Sequence, residues 1–304
     1  MRDARAAAAF ARLTTLWGEH RRGHSSATIT TRRHRYSLGP RYASGDIATL
    51  YQVDIGDSEQ TALLKLPADP AMSDLLEREA TALAQLVQDG DGRFQPYAPR
   101  LLESFRHRDS TTGATRRANV IGLAGGFFSL AEVRAAYPRG LDPRDVAWMC
   151  RRILVALGYA HRAGVIHGAV LPEHVLIHPG DHGLVLVDWC FSVPGCYAAT
   201  DPSGRVPAVI SRHADRGLYP PEVLAGMPAT PAADIFMATR CMAGLLGADF
   251  PEPLETFADV CTQPSAERRP ADAWRLLAEL DSLLEWLYGP RRFRPFAMPA
   301  RTTG

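Results

Sequence analysis

The 304-residue chain is 46% hydrophobic and 22% charged, enough apolar material for one large domain or for two lobes sharing a cleft. Its net charge of +1 gives no global reason to expect nucleic acid or an anionic membrane as a partner. Five cysteines without a C-x-x-C pair, no apolar run of membrane length and no secretory pattern at the start lead us to expect a cytoplasmic protein.

The first predicted element is a helix in DARAAAAFARLTTLW, where Ala9, Phe10, Leu13 and Leu16 share one side. The basic, polar run HRRGHSSATITTRRHR reads as a solvated linker, so residues 1–36 are set apart as helix and linker. From Tyr36 the texture turns β-rich: YSLGPRYASGDIATLYQVDIG, then TALLKL after a polar turn, predicts three strands. AMSDLLEREATALAQLVQ predicts a helix with the stripe Leu76, Ala80, Leu83 and Val87, and with Glu79 beside it. An inward carboxylate wants a cation, and Lys65 is the candidate. Lys65 is the only lysine among 34 basic residues. Arginine does not replace a compact ammonium where a point charge must meet phosphate oxygens, so one lysine in an arginine-biased chain hints at chemistry, and its place along the chain must decide.

A polar loop from Arg108 to Arg117 leads into the apolar run Ala118 to Leu123, a further strand, with Gly125-Gly126 after it. SLAEVRAAYPRG predicts a short helix. Asp142 as cap, Pro143 at the first helical position and Asp145 near the positive end open a long one running to Gly164. Its buried side is Trp148, Ile153, Leu154, Leu157 and Ala160. VIHGAVLPEHVLIHPGDHGLVLVDWC then reads as loop, strand, tight turn at Pro179-Gly180-Asp181, and second strand. Asp188 closes that run, where an acid is costly unless a cation, a metal or a ring of donors meets it. His174, His178 and His182 recur every four residues, but Pro179-Gly180 forbids a helix there and leaves the spacing without a zinc reading. No period is visible from Phe191 to Tyr219. PAADIFMATRCMAGLLG is a helix apolar on nearly all sides, and AERRPADAWRLLAEL is the last.

In order and spacing these elements resemble the protein kinase superfamily, in its Ser/Thr form. His167 falls on the His of H-R-D, Asp188-Trp189-Cys190 on D-F-G, Lys65 on the lysine of V-A-I-K, and Tyr219-Pro220-Pro221-Glu222 on A-P-E. Asp234 matches the D-I-W aspartate that holds catalytic-loop N–H groups, and Arg269 the arginine that pairs with the A-P-E glutamate. The resemblance covers residues 37–290. It implies an α+β, two-lobed protein-kinase-like fold, with a small β-rich N-lobe at 37–121, a larger helical C-lobe at 122–290 and a tail at 291–304. It further implies ATP in a cleft near residues 122–126, with Gly45 and Leu50 in the phosphate-covering hairpin and Leu63 beside the adenine. Lys65 would contact phosphates, Glu79 would orient it (Glu77 as fallback), and Asp188 would hold Mg or Mn.

The departures concern the chemistry. Ala169 stands at the position of the catalytic aspartate and offers no proton acceptor. Gly168 replaces the arginine that would read a phosphorylated activation segment. His174 replaces the metal-binding Asn, where an imidazole beside Asp188 would favour manganese over magnesium. Only Gly45 survives of three loop glycines, Ala43 and Ala48 taking the other places, and Leu63 narrows the adenine pocket. The combined expectation is a pseudokinase that binds ATP and serves as a regulatory or scaffolding module for a protein partner. The alternative is an active atypical Ser/Thr kinase or a nucleotidyl transferase on the same fold.

Overall fold

A computed structural model describes residues 28–56, 61–108, 113–122, 125–195, 203–247 and 250–299. Alternating and β-branched residues build β1 (Thr28–Thr30), β2 (Arg35–Ser44), β3 (Ala48–Ile55) and β4 (Thr61–Pro67). Helix α1 (Ser73–Asp89) follows, then β5 (Arg100–Arg108) and β6 (Thr115–Gly122). The six strands form one antiparallel sheet in the order β1-β2-β3-β4-β6-β5, with α1 packed on one face.

Three expectations for this lobe need correction. Thr28–Thr30, expected as linker, is an edge strand: Ile29 is buried, and the Thr31 hydroxyl closes the turn by accepting from the N–H groups of Arg33 and His34. The polar loop expected from Arg108 to Arg117 is shorter, because Thr115, Arg116 and Arg117 ladder with Arg108, His107 and Arg106. Charged residues on an edge pair hide the strand period. On α1 the buried face is Leu76, Glu79, Ala82, Leu83 and Leu86, while Val87 is 58% exposed. The helix is turned so that Glu79, rather than Val87, faces the sheet. The expected helix at the start of the chain lies outside the described residues.

The second lobe opens with β7 (Phe128–Ser129) and α2 (Leu130–Ala136), started by a Ser129/Glu132 capping box. Helix α3 (Pro143–Arg162) is capped by Asp142, whose side chain accepts from the N–H of Arg144, and its expected apolar side is buried throughout. Strand β8 (Val165–Ile166) precedes β9 (Val175–His178) and β10 (Gly183–Leu186), which pair antiparallel with Leu184 opposite Ile177. Strand β11 (Val193–Pro194) pairs back onto β8. Helices α4 (Ser211–Ala214), α5 (Pro221–Leu224), α6 (Pro231–Ala243), α7 (Glu252–Cys261) and α8 (Ala273–Tyr288) complete the lobe. The core runs from α1 into α3 and α6, so the two lobes share it and the cleft lies along its edge. Among the described residues no helix is long and apolar enough to cross a membrane, and Cys150, Cys190, Cys241 and Cys261 are free thiols.

Candidate functional site in the interlobe cleft

Lys65 sits mid-strand in β4, opposite Leu50 on β3 and Asn119 on β6, and is 4% exposed. A buried ammonium must find partners. Its Nζ donates to Glu79 Oε1 at 2.9 Å and to Asp188 Oδ1 at 2.5 Å, and lies 3.2 Å from Cys190 Sγ. Burial opposes its charge, but Asp188 and the other neighbours outweigh it and hold the pKa well above the usual lysine value. Glu79, Asp188 and Cys190 bring ligand-type atoms close together, but the ammonium already occupies the middle of that group. Glu77, the fallback, instead pairs with Arg117 at 2.5 Å on the outer face of α1.

Asn119 is a site residue that the sequence reading passed over. Its amide donates to Glu79 Oε2 at 2.9 Å and to the Leu76 carbonyl at 2.8 Å, and its own oxygen accepts from Ser104 at 2.7 Å. Both Glu79 oxygens are therefore engaged. The available signal was a single polar residue inside the apolar run Ala118 to Leu123.

Asp188 ends its strand in the left-handed region, at φ 65 and ψ 58. Its second oxygen, Oδ2, lies 3.1 Å from His174 Nε2. On the other side of that ring, Nδ1 donates to the Ala169 carbonyl at 2.8 Å. A carbonyl only accepts, so Nδ1 carries a proton, and the carboxylate favours a second proton on Nε2. Burial disfavours the imidazolium, but Asp188 outweighs it and the His174 pKa is raised. For Asp188, burial is outweighed by Lys65 and then His174, so the carboxyl stays ionised well below the usual range. Burial also holds the Cys190 thiol well above its usual pKa, so it stays protonated beside Lys65.

Asp188 and His174, the residues expected to hold Mg or Mn, are brought side by side in this arrangement. One Asp188 oxygen meets the Lys65 ammonium and the other faces His174 Nε2, whose pKa the carboxylate raises. A divalent ion there would compete with Lys65 and with a proton on His174 Nε2 for the Asp188 oxygens, while the Nδ1–H bond to Ala169 holds the imidazole as it would hold a ligand.

The catalytic-loop positions lie under this cluster. Ala169, the position that the resemblance aligns with a catalytic aspartate, is wholly buried and offers only a methyl group. Gly168 adopts φ 76, and a Cβ there would stand 2.4 Å from the Phe191 carbonyl oxygen, so this loop path admits no side chain at 168. The N–H groups of His167 and Gly168 donate to the two oxygens of buried Asp234 at 2.8 and 2.9 Å, and His161 Nε2 meets the same carboxylate at 2.8 Å. His167 Nε2 donates to the Val187 carbonyl at 3.1 Å while its Nδ1 accepts from the Ala169 N–H at 3.3 Å. That neutral tautomer agrees with a pKa that burial lowers to about 4. Trp189 packs edge-on against His167 at 4.6 Å and donates to the Leu186 carbonyl at 2.9 Å, tying the strand end to the loop. Farther out, Arg269 pairs with Glu222 and stacks over Phe236 at 5.2 Å.

Above the cluster, Gly45 lies in the β2–β3 hairpin, Leu50 packs against the shared core and Leu63 is buried on β4. Asp46 of this hairpin pairs with Arg212 of α4, closing the front of the cleft. Beside this pair lies a cavity of about 120 Å³, lined by Gly45, Asp46, Glu173, His174, Asp188 and Arg212 among others. Drug-sized ligands occupy roughly 300–1,000 Å³. Glu173 lies 3.2 Å from the buried His213; burial pushes its carboxyl up, but His213 outweighs that and holds the pKa at about 2.

No protein-family model matches the chain. A 58-residue stretch is 36% identical to casein kinase II subunit alpha' of Saccharomyces cerevisiae, covering 19% of this chain and 17% of the yeast protein. The match thus spans less than a fifth of that relative. Among solved structures, the BubR1 kinase domain superposes with a TM-score of 0.63 at 15% identity, over 90% of this chain and 87% of that one. Together with the curled antiparallel sheet, the helical second lobe and the order of elements through the cleft, these likenesses establish that the chain has a two-lobed, α+β, protein-kinase-like fold.

Proposed function

We propose that the protein is a pseudokinase, a regulatory or scaffolding module that works by binding a protein partner rather than by transferring phosphate. The observation that carries this reading is the buried methyl of Ala169 where a general base would stand. Loss of a positioned base costs roughly a hundredfold to ten-thousandfold in rate. The ion-paired cluster supports the same reading, since Lys65 and His174 supply the positive charge that a metal–nucleotide complex would otherwise bring. A nucleotide entering this cleft would first have to part Arg212 from Asp46, and its phosphates would meet Lys65 and His174 without a divalent ion. ATP therefore acts, in this proposal, as a metal-independent ligand of the opened cleft.

The test is a thermal shift with ATP in EDTA and in excess magnesium or manganese, run beside a γ-phosphate transfer assay. A shift of equal size in both solutions, with no transferred label, is expected. A shift that requires metal, or label transfer abolished by Asp188→Ala, would replace this reading with that of an atypical kinase. Transfer of AMP abolished by the same substitution would favour a nucleotidyl transferase, which the intact Lys65–Glu79 pair also supports.

A further inference from the structure

A second cavity, of about 570 Å³, lies on the far side of the second lobe between α3, the β9–β10 turn and the strap that follows α8. The strap is fastened at several points. Arg294 makes a forked pair with Asp145 at 3.0 and 3.1 Å, Phe296 packs against Trp148 at 5.9 Å, and the Tyr137 hydroxyl donates to the Ala297 carbonyl. The cavity is therefore preformed. Its size is that of an ordinary small-molecule site.

Five arginines line it and no acid does. Three have carboxylates behind them: Arg144 pairs with Asp142, Arg151 with Asp281, and Arg294 with Asp145. Arg291 and Arg292 are exposed and have no carboxylate partner among the described residues, which leaves two guanidinium charges in excess. Such forks match phosphate oxygens.

The same wall carries an aromatic ladder. Trp148 stacks on His182 at 4.1 Å and 7°, and His182 stacks on Phe293 at 4.4 Å and 27°. The ladder ends at Phe293, which is 65% exposed, so the strap holds a large apolar ring out in water beside free arginines. Trp148 and His182 are more than nine-tenths buried, yet Trp148 Nε1 and His182 Nε2 have no hydrogen-bond partner. Both residues line the cavity, where a ligand or a water can reach them. His182 is also held at φ 55, one of two non-glycine residues with positive φ among those described. The other is Asp188, in the cleft.

We infer that this cavity is a binding site for a nucleoside phosphate, separate from the interlobe cleft. The phosphates meet Arg291 and Arg292, and the base lies on the Phe293 end of the ladder. An anion alone would use the arginines but leave the exposed ring without purpose. An apolar ligand alone would leave the two guanidinium groups unmatched.

The experiment is photolabelling of the full chain with 8-azido-ATP followed by peptide mapping, with affinities for ATP, tripolyphosphate and adenosine from calorimetry. Label is expected on the segment from Tyr288 to Arg294. Arg291→Glu with Arg292→Glu should remove that label and weaken the corresponding binding by roughly tenfold per charge. Phe293→Ala should weaken ATP severalfold and leave tripolyphosphate unchanged. All three residues are exposed, so these variants fold, which circular dichroism verifies. Labelling confined to the cleft, or unchanged in the double variant, overturns the site. Equal affinity for ATP and tripolyphosphate in the native protein overturns the nucleoside half of the inference. Because neither arginine touches the cleft, failure here leaves the pseudokinase reading intact.

Discussion

Nε2 of His174 lies 3.1 Å from Oδ2 of Asp188, on the carboxylate oxygen that Lys65 does not use. A protonated Nε2 sets a positive charge against Asp188 on the side away from Lys65. His174→Asn removes that charge and frees one Asp188 oxygen. The variant should show an ATP-dependent thermal shift that increases with magnesium or manganese, whereas the native shift should be the same in EDTA. Equal metal response in both proteins would show that His174 does not block the ion.

The Lys65–Glu79 pair is the most deeply buried charge contact of the cleft. Glu79→Ala leaves Lys65 with Asp188 as its remaining carboxylate partner and takes an acceptor from the Asn119 amide, at a cost of about 1–3 kcal/mol. Glu79→Ala should lower the unfolding free energy in urea by that amount. Lys65→Met should cost less than Lys65→Ala, because its chain keeps the packing.

Stability should also respond to pH through His167. Its folded pKa is lowered to about 4 by burial, against about 6.5 in the unfolded chain. Between these values the unfolded state binds the proton and the folded state does not, so stability falls as pH drops from about 6.5 to about 4, by roughly 3 kcal/mol. His174 runs the other way: its raised pKa gives stability below about 6.5 that is lost as pH rises through the folded value. Urea titrations should lose the acid-side decline in His167→Asn and lose the decline above about pH 6.5 in His174→Asn.

Restoring the base alone tests the loop. Ala169→Asp should fold and should give phosphate transfer above the native level if the cleft opens to nucleotide. Gly168→Arg should instead destabilise by about 1–2 kcal/mol or more, since φ 76 and the Phe191 carbonyl leave no place for a Cβ. A folded, fully stable Gly168→Arg protein would mean that the loop takes another path.

Arg269 and Glu222 should couple in a double-mutant cycle. Their pair is screened from water on the arginine side, so a coupling of about 1–3 kcal/mol is expected from the two single alanine variants and the double. Arg212 and Asp46 are more exposed, and Arg212→Ala should change stability by less than about 1 kcal/mol while raising ATP affinity by opening the cleft.

Much of the fold was legible because local chemistry and tertiary demand agree. The Asp142-Pro143 start of α3, its apolar side, the turn between β9 and β10 and the buried α6 all follow from caps, turn residues and periodicity. Lys65 and Glu79 were legible for a different reason, as a lone lysine and an acid beside an apolar stripe. Edge strands were less legible. Thr28–Thr30 and Thr115–Arg117 are polar on their outer faces, and only pairing with neighbours makes them strands.

What the chain's residues determined unaided was the inventory: one lysine, an alanine in place of a base, a histidine in place of an amide, and an aspartate ending an apolar strand. Which of these would act on which was decided in three dimensions. The Ala169 carbonyl fixes the proton on His174 Nδ1 and turns Nε2 toward Asp188, a placement that no local pattern encodes. Lys65 and Asp188 stand 123 residues apart, and the direction and protonation of both are set by a contact that exists only once the lobes share a core.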